Sequence, residues 1–259
     1  MNDLKGRTAL VTGGGRGIGA ATARMLAQRG ATVAVVARNM KQVREVAARL
    51  RKEGHEAFAF QCDVAEADDV GDATLSAREA MGHVDILVNN AGTAPSNPLH
   101  RVTLEEWDHV MAVNVTGTFL FTRAIAPRMA ERGWGRVVNV ASIAGLMGGK
   151  YISAYTASKH AVVGFTRAVA AEMEGTGVTV NAVCPGYVDT PLTDDAIGRV
   201  VNLTGKSTNE ARKMLLAQAG QSRLITAEEV AEAVLALCVD GSESANGEAI
   251  VLDGKDGWA

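Results

Sequence analysis

Thr8-Ala-Leu-Val-Thr-Gly-Gly-Gly-Arg-Gly-Ile-Gly19 is a short apolar run that passes directly into a glycine-rich turn. The run has the composition of a buried strand, and a helical pattern of small and apolar residues continues over 18–28. A glycine-rich turn between a strand and a helix lets a pyrophosphate approach the amino end of the helix. The alternative is a merely tight turn. We predict a cofactor-binding turn made of Gly13, Gly15, Arg16, Gly17, Ile18 and Gly19.

Strand-like and helix-like stretches alternate along the chain. Apolar runs rich in β-branched residues lie at 8–12, 32–37, 57–62, 86–89, 136–140, 178–183 and 248–252. Helical patterns lie at 18–28, 41–52, 67–81, 105–132, 153–174 and 227–238. Capping boxes are predicted at Thr103 with Glu106 and at Thr226 with Glu229.

This alternation predicts an α/β fold. We expect a single doubly wound Rossmann-type domain over residues 1–259, with a seven-stranded parallel sheet and helices on both faces. Residues 191–225 break the rhythm, because they contain helical patches and no strand. A long excursion at the carboxyl edge of a sheet predicts a lid or a substrate-binding insertion.

Composition limits the class of protein. The 259 residues are 47% hydrophobic and 21% charged, with a net charge of −3, which suits one soluble domain and argues against nucleic-acid binding. Uncharged apolar stretches are shorter than the roughly 18 residues of a membrane span, and no signal-peptide pattern is seen. We therefore expect a cytoplasmic protein with no membrane partner. Cys62, Cys184 and Cys238 lie far apart in apolar contexts, which predicts buried thiols and no metal site.

The residues after the second predicted strand bear on which dinucleotide binds. Nicotinamide-binding sequences usually carry a carboxylate there, roughly 20 residues after the glycines, for the ribose 2′-hydroxyl. This chain has Ala37-Arg38-Asn39 at that point, and Arg16 lies within the glycine turn. Two guanidinium groups suit a 2′-phosphate, so NADP(H) is favoured over NAD(H). The alternative is that both arginines are solvated surface charges.

Tyr155 and Lys159 stand four residues apart in a predicted helix, which places the phenol and the ammonium on one face. A phenol has a pKa of about 10, and a nearby positive charge lowers it towards the range useful for proton transfer. Such a pair alone is commonplace on helix surfaces. With Ser142 at the carboxyl edge of a predicted strand and a nucleotide site nearby, it predicts an acid/base device.

In order along the chain, the motifs resemble those of the short-chain dehydrogenase/reductase family, and the match covers essentially the whole sequence. They are Thr12-Gly-x-x-x-Gly-Ile-Gly19, Asp63-Val64, Asn89-Asn-Ala-Gly92, Asn114, Ser142, Tyr155-x-x-x-Lys159 and Pro185-Gly186. The resemblance implies an oxidoreductase that interconverts a ketone and a secondary alcohol with a nicotinamide cofactor. Its nearest groups are 3-oxoacyl-thioester reductases, polyketide-type ketoreductases and hydroxybutyrate dehydrogenases.

The resemblance also implies a role for each matching residue. Tyr155 would be the general acid/base, Lys159 would lower its pKa and bind the nicotinamide ribose, and Ser142 would orient the substrate oxygen. Asn114 would anchor a water in a proton relay. The cofactor-binding positions that it implies are Asp63 and Val64 at the adenine, Asn90, Ala91 and Gly92 in the cleft, Pro185 and Gly186, and Val188 with Thr190 at the nicotinamide carboxamide.

Residue chemistry alone leaves alternatives open at three of these positions. Asn114 lies in a mainly apolar helical run, where a relay role and a structural hydrogen bond to a neighbouring strand both satisfy its amide. Ser142 is also compatible with a plain turn residue. Asp63 is equally a candidate N-cap for a helix that begins near Glu66.

The substrate pocket is predicted from segments that follow the strands. Its wall would comprise 93–99, 143–151, Tyr187 and the 191–225 insertion, whose small, apolar and aromatic residues suggest a partly apolar ketone such as a 3-oxoacyl thioester. Basic residues in these segments either meet the phosphates of a thioester carrier or are exposed charges: Lys150, Arg199, Lys206, Arg212 and Lys213. One departure is the chain end, Leu252-Asp-Gly-Lys-Asp-Gly-Trp-Ala259, where the family often has Asp-Gly-Gly.

Other functions compete with NADP(H)-dependent ketone reduction. One is an NAD(H)-dependent alcohol or hydroxyacyl dehydrogenase, and another is a non-catalytic NADPH-binding sensor or scaffold. Epimerases and dehydratases of nucleotide sugars usually carry a larger C-terminal domain than the roughly 75 residues that follow Pro185. The resemblance further implies a homodimer or homotetramer paired through helices 105–132 and 153–174. Alternatively, the apolar residues of these helices serve only the internal core.

Overall fold

The computed structural model describes residues 3–254, and in this part of the chain seven parallel strands form one sheet. They are β1 (Thr8–Thr12), β2 (Thr32–Ala37), β3 (Ala57–Gln61), β4 (Ile86–Asn89), β5 (Gly135–Val140), β6 (Val178–Pro185) and β7 (Ala249–Leu252). Their order across the sheet is β3-β2-β1-β4-β5-β6-β7. Residues 255–259 of the atypical chain end lie outside the described residues.

Helices connect consecutive strands and cover both faces of the sheet. They are α1 (Gly17–Gln28), α2 (Met40–Lys52), α3 (Ala67–Met81), α4 (Leu104–Met111), α5 (Gly117–Glu131), α6 (Ser153–Glu172), α7 (Pro191–Thr204), α8 (Thr208–Ala219) and α9 (Ala227–Ala236). Apart from the helix expected over 105–132, which is divided, the ends that were predicted differ from the observed ones by at most two residues. The prediction of a doubly wound α/β fold is confirmed.

Alternate residues of the strands supply two separate cores. In β1, Ala9 and Val11 pack with Leu26 of α1 and Val230 of α9 on one face of the sheet. Leu10, between them, packs on the opposite face with residues of α3 and α5. Burial on both faces explains why the strands are continuous apolar runs and do not alternate with polar residues.

The order of the strands places a cleft at the carboxyl end of β1. This strand pairs with β2 on one side and with β4 on the other. Strands β2 and β3 are thus added on one side of β1 and the later strands on the other, so the strand order reverses at β1. Doubly wound sheets bind their ligands outside the carboxyl ends of the strands at such a point. The segments after β1 and β4 are therefore the expected walls of a binding site.

The single helix expected over 105–132 is instead two α-helices joined by a π-helical turn. This turn spans Ala112–Thr116 and contains Asn114. The prediction missed it because a π turn inserts one residue into the helical repeat without interrupting the apolar pattern. Single π turns are rare and occur mostly at functional sites.

The combined stretch Leu104–Glu131 is, within 3–254, the one helix long and apolar enough to cross a membrane by length and composition. Its most apolar window has a mean hydropathy of 1.2, and 56% of that window is buried inside the protein. Phe121, Ile125 and Met129 on this stretch belong to the core beneath the sheet. Packing as a core helix accounts for the composition.

Residues 191–225 contain α7 and α8, which pack against each other above the carboxyl edge of the sheet. A capping box between Ser207 and Glu210, which the sequence reading overlooked, starts α8. Helices in place of a structureless loop give the insertion a defined inner surface. The predicted insertion is therefore an ordered pair of helices, and its role as a lid or a substrate-binding segment stays a prediction.

Arg136 at the amino end of β5 is a buried cation that supports the sheet away from the cleft. Its side chain has no exposed surface, and it pairs with Glu243 at 2.7 Å. It also donates to the carbonyls of Gly135 and Gly177, and its guanidinium lies 4.4 Å from the centre of the Trp134 ring. Removing it would leave buried carbonyl groups without donors, which is costly.

We expect Arg136→Ala to lower the free energy of unfolding by about 3 kcal/mol, because buried hydrogen bonds and packing are lost together. Urea denaturation followed by circular dichroism measures this change. Arg24→Ala is the matched control, since Arg24 is 56% exposed in its pair with Glu53. It should cost about 1 kcal/mol or less. Equal losses for the two variants would contradict a structural role for Arg136.

Candidate active site

The turn after β1 is shaped so that glycine is required at two positions. Gly13 and Gly17 have φ of +63° and +53°, a left-handed conformation that other residues rarely adopt. A Cβ atom on Gly13 would also lie 2.8 Å from Nδ2 of Asn90 and 2.9 Å from Cα of Ala91. The turn therefore keeps its backbone close to the end of β4, as a phosphate-binding turn requires.

Thr12 joins the ends of β1 and β4 beneath this turn. Its Oγ1 accepts hydrogen bonds from the N–H groups of Asn90 at 2.9 Å and Ala91 at 3.0 Å. In return, Nδ2 of Asn90 donates to the carbonyls of Thr12 and Gly13. Asn90 thus holds the glycine turn in place, while Ala91 and Gly92 line the cleft above it.

The cleft has a volume of about 750 Å³. Predicted cofactor residues that line it are Gly13, Gly15, Arg16, Arg38, Asp63, Val64, Ala91 and Gly92. The sequence reading missed Lys41 and Gln42, which line it from the first turn of α2 and follow directly on the arginine-bearing strand end.

The amino end of α1 is suited to an anion. Arg16, its N-cap residue, forms no side-chain cap, and the first turn carries no acidic side chain among the described residues. The N–H groups there stay available to a phosphate. Gly17, Ile18 and Gly19 lie in this first turn, and Thr190 packs against Gly17. The volume of the cleft, the basic side chains that line it and the amino end of α1 together fit a nicotinamide dinucleotide.

Arg38 extends from the end of β2 into the same cleft. Its side chain is 67% exposed, and its Nη1 lies 3.9 Å from Oδ2 of Asp63. Asp63 also accepts a hydrogen bond from the N–H of Ala65. The alternative that Asp63 caps the following helix is wrong, because Glu66 is the N-cap residue of α3. Asp63 therefore lies at the cleft wall, paired with Arg38 and with the N–H of Ala65.

Ser142 and Tyr155 meet at the carboxyl ends of β5 and β6. Ser142 follows β5 in an extended conformation, and its Oγ accepts from the N–H of Ala144 and donates to the carbonyl of Pro185 at 3.4 Å. Tyr155 lies in the first turn of α6 and shares a side-chain hydrogen bond with Ser142. Both hydroxyl groups line a second cavity.

The pKa values of the acid/base pair differ from the sequence expectation. Burial raises the pKa of Tyr155 to about 12, and the hydrogen bond with Ser142 opposes this rise. Burial lowers the pKa of Lys159 to about 8. Lys159 donates from Nζ to the carbonyl of Val140 at 2.7 Å, and this nitrogen lies 5.8 Å from the centre of the Tyr155 ring. The expected lowering of the Tyr155 pKa is absent in this arrangement because desolvation dominates.

Asn114 is buried in the π turn with its side-chain amide fully hydrogen-bonded. Oδ1 accepts from the N–H of Thr93 at 2.8 Å, and Nδ2 donates to the carbonyl of Thr93 and to Oγ of Ser158, each at 2.9 Å. These bonds satisfy the amide as the structural alternative requires, and the relay role stays a prediction. The partners of the amide are the segment after β4 and α6, and not a strand as expected.

The second cavity has a volume of about 170 Å³ and is lined by all the predicted wall segments. Tyr187 forms part of the wall, next to Gly186. Its N–H donates to Oε1 of Gln221 at 2.6 Å, and its carbonyl accepts from Nε2 of the same side chain. Gln221 thus fixes the wall after β6. The sequence offered no signal for it, since its partner lies 34 residues away.

The remaining predicted positions lie around this wall. Pro185 ends β6, Val188 is buried and forms an isolated bridge with Ile225, and Thr190 is the N-cap residue of α7. The five basic candidates separate into two groups. Lys150 and Arg199 line the cavity, whereas Lys206, Arg212 and Lys213 are exposed on and before α8.

Comparison with known proteins agrees with this geometry. The family model described as short chain dehydrogenase matches residues 7–199. The 2-(S)-hydroxypropyl-CoM dehydrogenase 3 of Xanthobacter autotrophicus is 41% identical over 254 residues, covering 98% of this chain and 97% of that protein. The 3-oxoacyl-(acyl-carrier-protein) reductase of Synechocystis sp. is 42% identical over 196 residues, covering 75% and 79%.

Among solved structures, a variant of actinorhodin polyketide ketoreductase with NADPH superposes with a TM-score of 0.91. It is 38% identical and covers 98% of this chain and 97% of its own. The chain therefore belongs to the short chain dehydrogenase family and is an oxidoreductase that interconverts a ketone and a secondary alcohol.

Proposed function

We propose that the protein uses NADPH to reduce a ketone bound beside Ser142 and Tyr155. The observation that carries this proposal is that Ser142 and Tyr155, both hydroxyl-bearing, line the same cavity at the sheet edge. The cofactor supplies a hydride. The protein supplies two hydroxyl groups for the ketone oxygen, so that negative charge developing on this oxygen is stabilised where it forms.

In this proposal Tyr155 donates the proton and Ser142 orients the oxygen. A pKa of about 12 keeps the Tyr155 phenol protonated at neutral pH, as a donor must be. Lys159, buried behind it, keeps most of its charge below its pKa of about 8. Gly92 separates this ammonium from Asn114, because a Cβ there would lie 3.4 Å from Oδ1 of Asn114 and 3.8 Å from Nζ of Lys159.

The preference for NADP(H) rests on the cations at the cleft. Arg16, Arg38 and Lys41 all line it, and a 2′-phosphate would bind the exposed guanidinium of Arg38 more strongly than a neutral hydroxyl. The NADPH complex of the actinorhodin ketoreductase supports this choice. One observation favours the NAD(H) alternative: Asp63 lies 3.9 Å from Arg38 and partly offsets its charge.

The substrate class follows from the cavity and the relatives. We propose a 3-oxoacyl thioester or a similar small ketone, since the cavity is small, mainly apolar and lined in part by α7 and α8. The Synechocystis relative acts on a 3-oxoacyl carrier protein by its name, which supports this choice. Oxidation of the matching alcohol uses the same groups.

Tyr155→Phe tests the catalytic role directly. We expect kcat for NADPH-dependent ketone reduction to fall by about 100-fold or more, since the proton donor is lost, while NADPH still binds. Tyr151→Phe is the control, because it removes a phenol from an exposed tyrosine at the same cavity. It should change kcat by less than about threefold. Unchanged turnover in Tyr155→Phe, or NADPH binding without any turnover in the native protein, would favour the sensor or scaffold alternative.

The cofactor preference is tested with Arg38→Asp. We expect the ratio of kcat/KM for NADPH to that for NADH to fall by about 100-fold, because a carboxylate repels the 2′-phosphate and accepts a hydrogen bond from the ribose. Arg44→Asp makes the same charge change on the exposed face of α2, outside the cleft, and should leave the ratio within about threefold. The 2′-phosphate argument fails if both variants keep the native ratio.

We also propose that the protein pairs with copies of itself through α4, α5 and α6. Apolar side chains exposed on α4 and α5 include Leu104 at 74%, Trp107 at 37% and Phe119 at 40%. Burying such a surface in a symmetric interface is the usual route to a stable dimer or tetramer.

Light scattering coupled to size exclusion should return two or four times the chain mass of 27.0 kDa. Phe119→Asp should shift the protein towards the monomer, because a carboxylate in an apolar interface is unfavourable. Leu75→Asp is the control, because it places the same carboxylate at an exposed apolar position on α3, outside these helices, and should leave the mass unchanged. A native monomer at micromolar concentration would reject the pairing.

A further inference from the structure

The substrate cavity is lined by positive charge alone. Lys150 and Arg199 line it, and no Asp or Glu side chain does so within residues 3–254. The other lining residues are apolar, hydroxyl-bearing, amide or glycine. A cavity whose charged groups share one sign selects ligands of the opposite sign.

Arg199 is the better placed of the two cations. It lies on α7, and its Nη2 donates to the carbonyl of Ala94 at 2.9 Å, so the guanidinium reaches from the lid to the segment after β4. Lys150, in contrast, is exposed at the rim. A guanidinium carries five N–H donors, of which the bond to Ala94 uses one.

The charge of Arg199 is not balanced by the surrounding residues. Its Nε is buried without a hydrogen-bond partner. Within the described part of the chain, no carboxylate lies within 4.0 Å of its nitrogens. A guanidinium cannot lose its proton in a protein, so a partly buried one without a counter-ion is held at a cost in free energy. An anion in the cavity would offset that cost.

The charge also acts on the cavity wall opposite the lid. Burial raises the pKa of the Tyr187 phenol, and the nearby positive charge of Arg199 opposes this rise. Tyr187 adjoins Gly186, and both share the cavity with Ser142 and Tyr155. The field of Arg199 therefore reaches the space that the substrate would occupy.

We infer that Arg199 binds an anionic oxygen group of the ketone substrate, a carboxylate or a phosphate. The inference rests on the proposed ketone reduction and specifies its substrate class. The planar guanidinium matches both groups, since two parallel N–H donors meet two oxygens. The ketone oxygen at Ser142 and Tyr155 and the anion at Arg199 would hold the substrate at two points, which fixes the face presented to the hydride.

Three probes share the 3-oxobutyryl group and differ in the group attached to it and in the charge that this group carries. Acetoacetate carries a carboxylate, acetoacetyl-CoA carries phosphates, and acetoacetyl-N-acetylcysteamine is a neutral thioester. We expect Arg199→Gln to lower kcat/KM for one anionic probe by about 10- to 100-fold and for the neutral thioester by less than about threefold. Which anionic probe responds identifies the carboxylate or the carrier phosphate as the source.

Two further variants separate charge from packing. Arg199→Lys keeps the charge and should recover part of the loss in kcat/KM. Arg212→Gln removes an exposed charge from α8 outside the cavity and should leave kcat/KM for all three probes unchanged. An equal fall for charged and neutral probes in Arg199→Gln would indicate a structural role and overturn the inference. So would an unchanged ratio between them, or an equal effect of Arg212→Gln on the anionic probes.

Binding distinguishes a failure of this inference from a failure of the proposed reaction. Calorimetry on the NADPH complex would compare butyrate with butyramide, which match in shape and differ in charge. We expect Arg199→Gln to weaken butyrate binding by about tenfold and to leave butyramide unchanged. Butyrate binding that depends on Arg199, without turnover of any probe, would reject the ketone reduction alone. If the neutral thioester is reduced but Arg199→Gln leaves the affinity for butyrate unchanged, the anion site alone is rejected.

Discussion

The buried amide of Asn114 is the interaction on which the geometry of the active site depends. It binds both backbone groups of Thr93, after β4, and the hydroxyl of Ser158 on α6. That hydroxyl in turn donates to the carbonyl of Tyr155 at 2.7 Å. One side chain therefore ties the cofactor cleft wall to the helix that carries Tyr155 and Lys159. Since a buried amide with an unmet partner is destabilising by about 1–3 kcal/mol, the three segments are held in a single arrangement.

The π turn is what makes this position available to Asn114. The turn lies between α4 and α5, and Asn114 within it reaches both the segment after β4 and α6. One extra residue in the turn shifts the helical repeat there, while Phe121 and Met129 still face the core. The carbonyl of Asn114 is also engaged, by Oγ1 of Thr118 at 2.9 Å. Hydrogen bonds to the side chain and the carbonyl of Asn114 thus stabilise the irregular backbone of the π turn.

Most of the fold could be predicted because its signals are local. Apolar β-branched runs mark strands, and the Thr226 and Glu229 capping box forms as expected because its partners are three residues apart. At Thr103 only half of the predicted box forms, since the side chain of Glu106 turns to Asn97 in another segment. The π turn, the Gln221 contact and the position of Asp63 depend on residues distant in sequence. The raised pKa of Tyr155 could not be predicted from the sequence for the same reason. Its largest cause is burial, which arises only when distant segments assemble around the phenol.

The opposite shifts in the pKa values of Tyr155 and Lys159 have one cause and a consequence for proton transfer. Burial disfavours the charged form of each group, so the phenol pKa rises to about 12 and the ammonium pKa falls to about 8. For reduction the phenol has only to be more acidic than the alcohol being formed, and a phenol of this pKa still meets that condition. For oxidation it must first lose its proton beside Lys159, which burial opposes. At neutral pH burial therefore holds the phenol in its protonated form, which is the form that donates to the oxygen of a ketone.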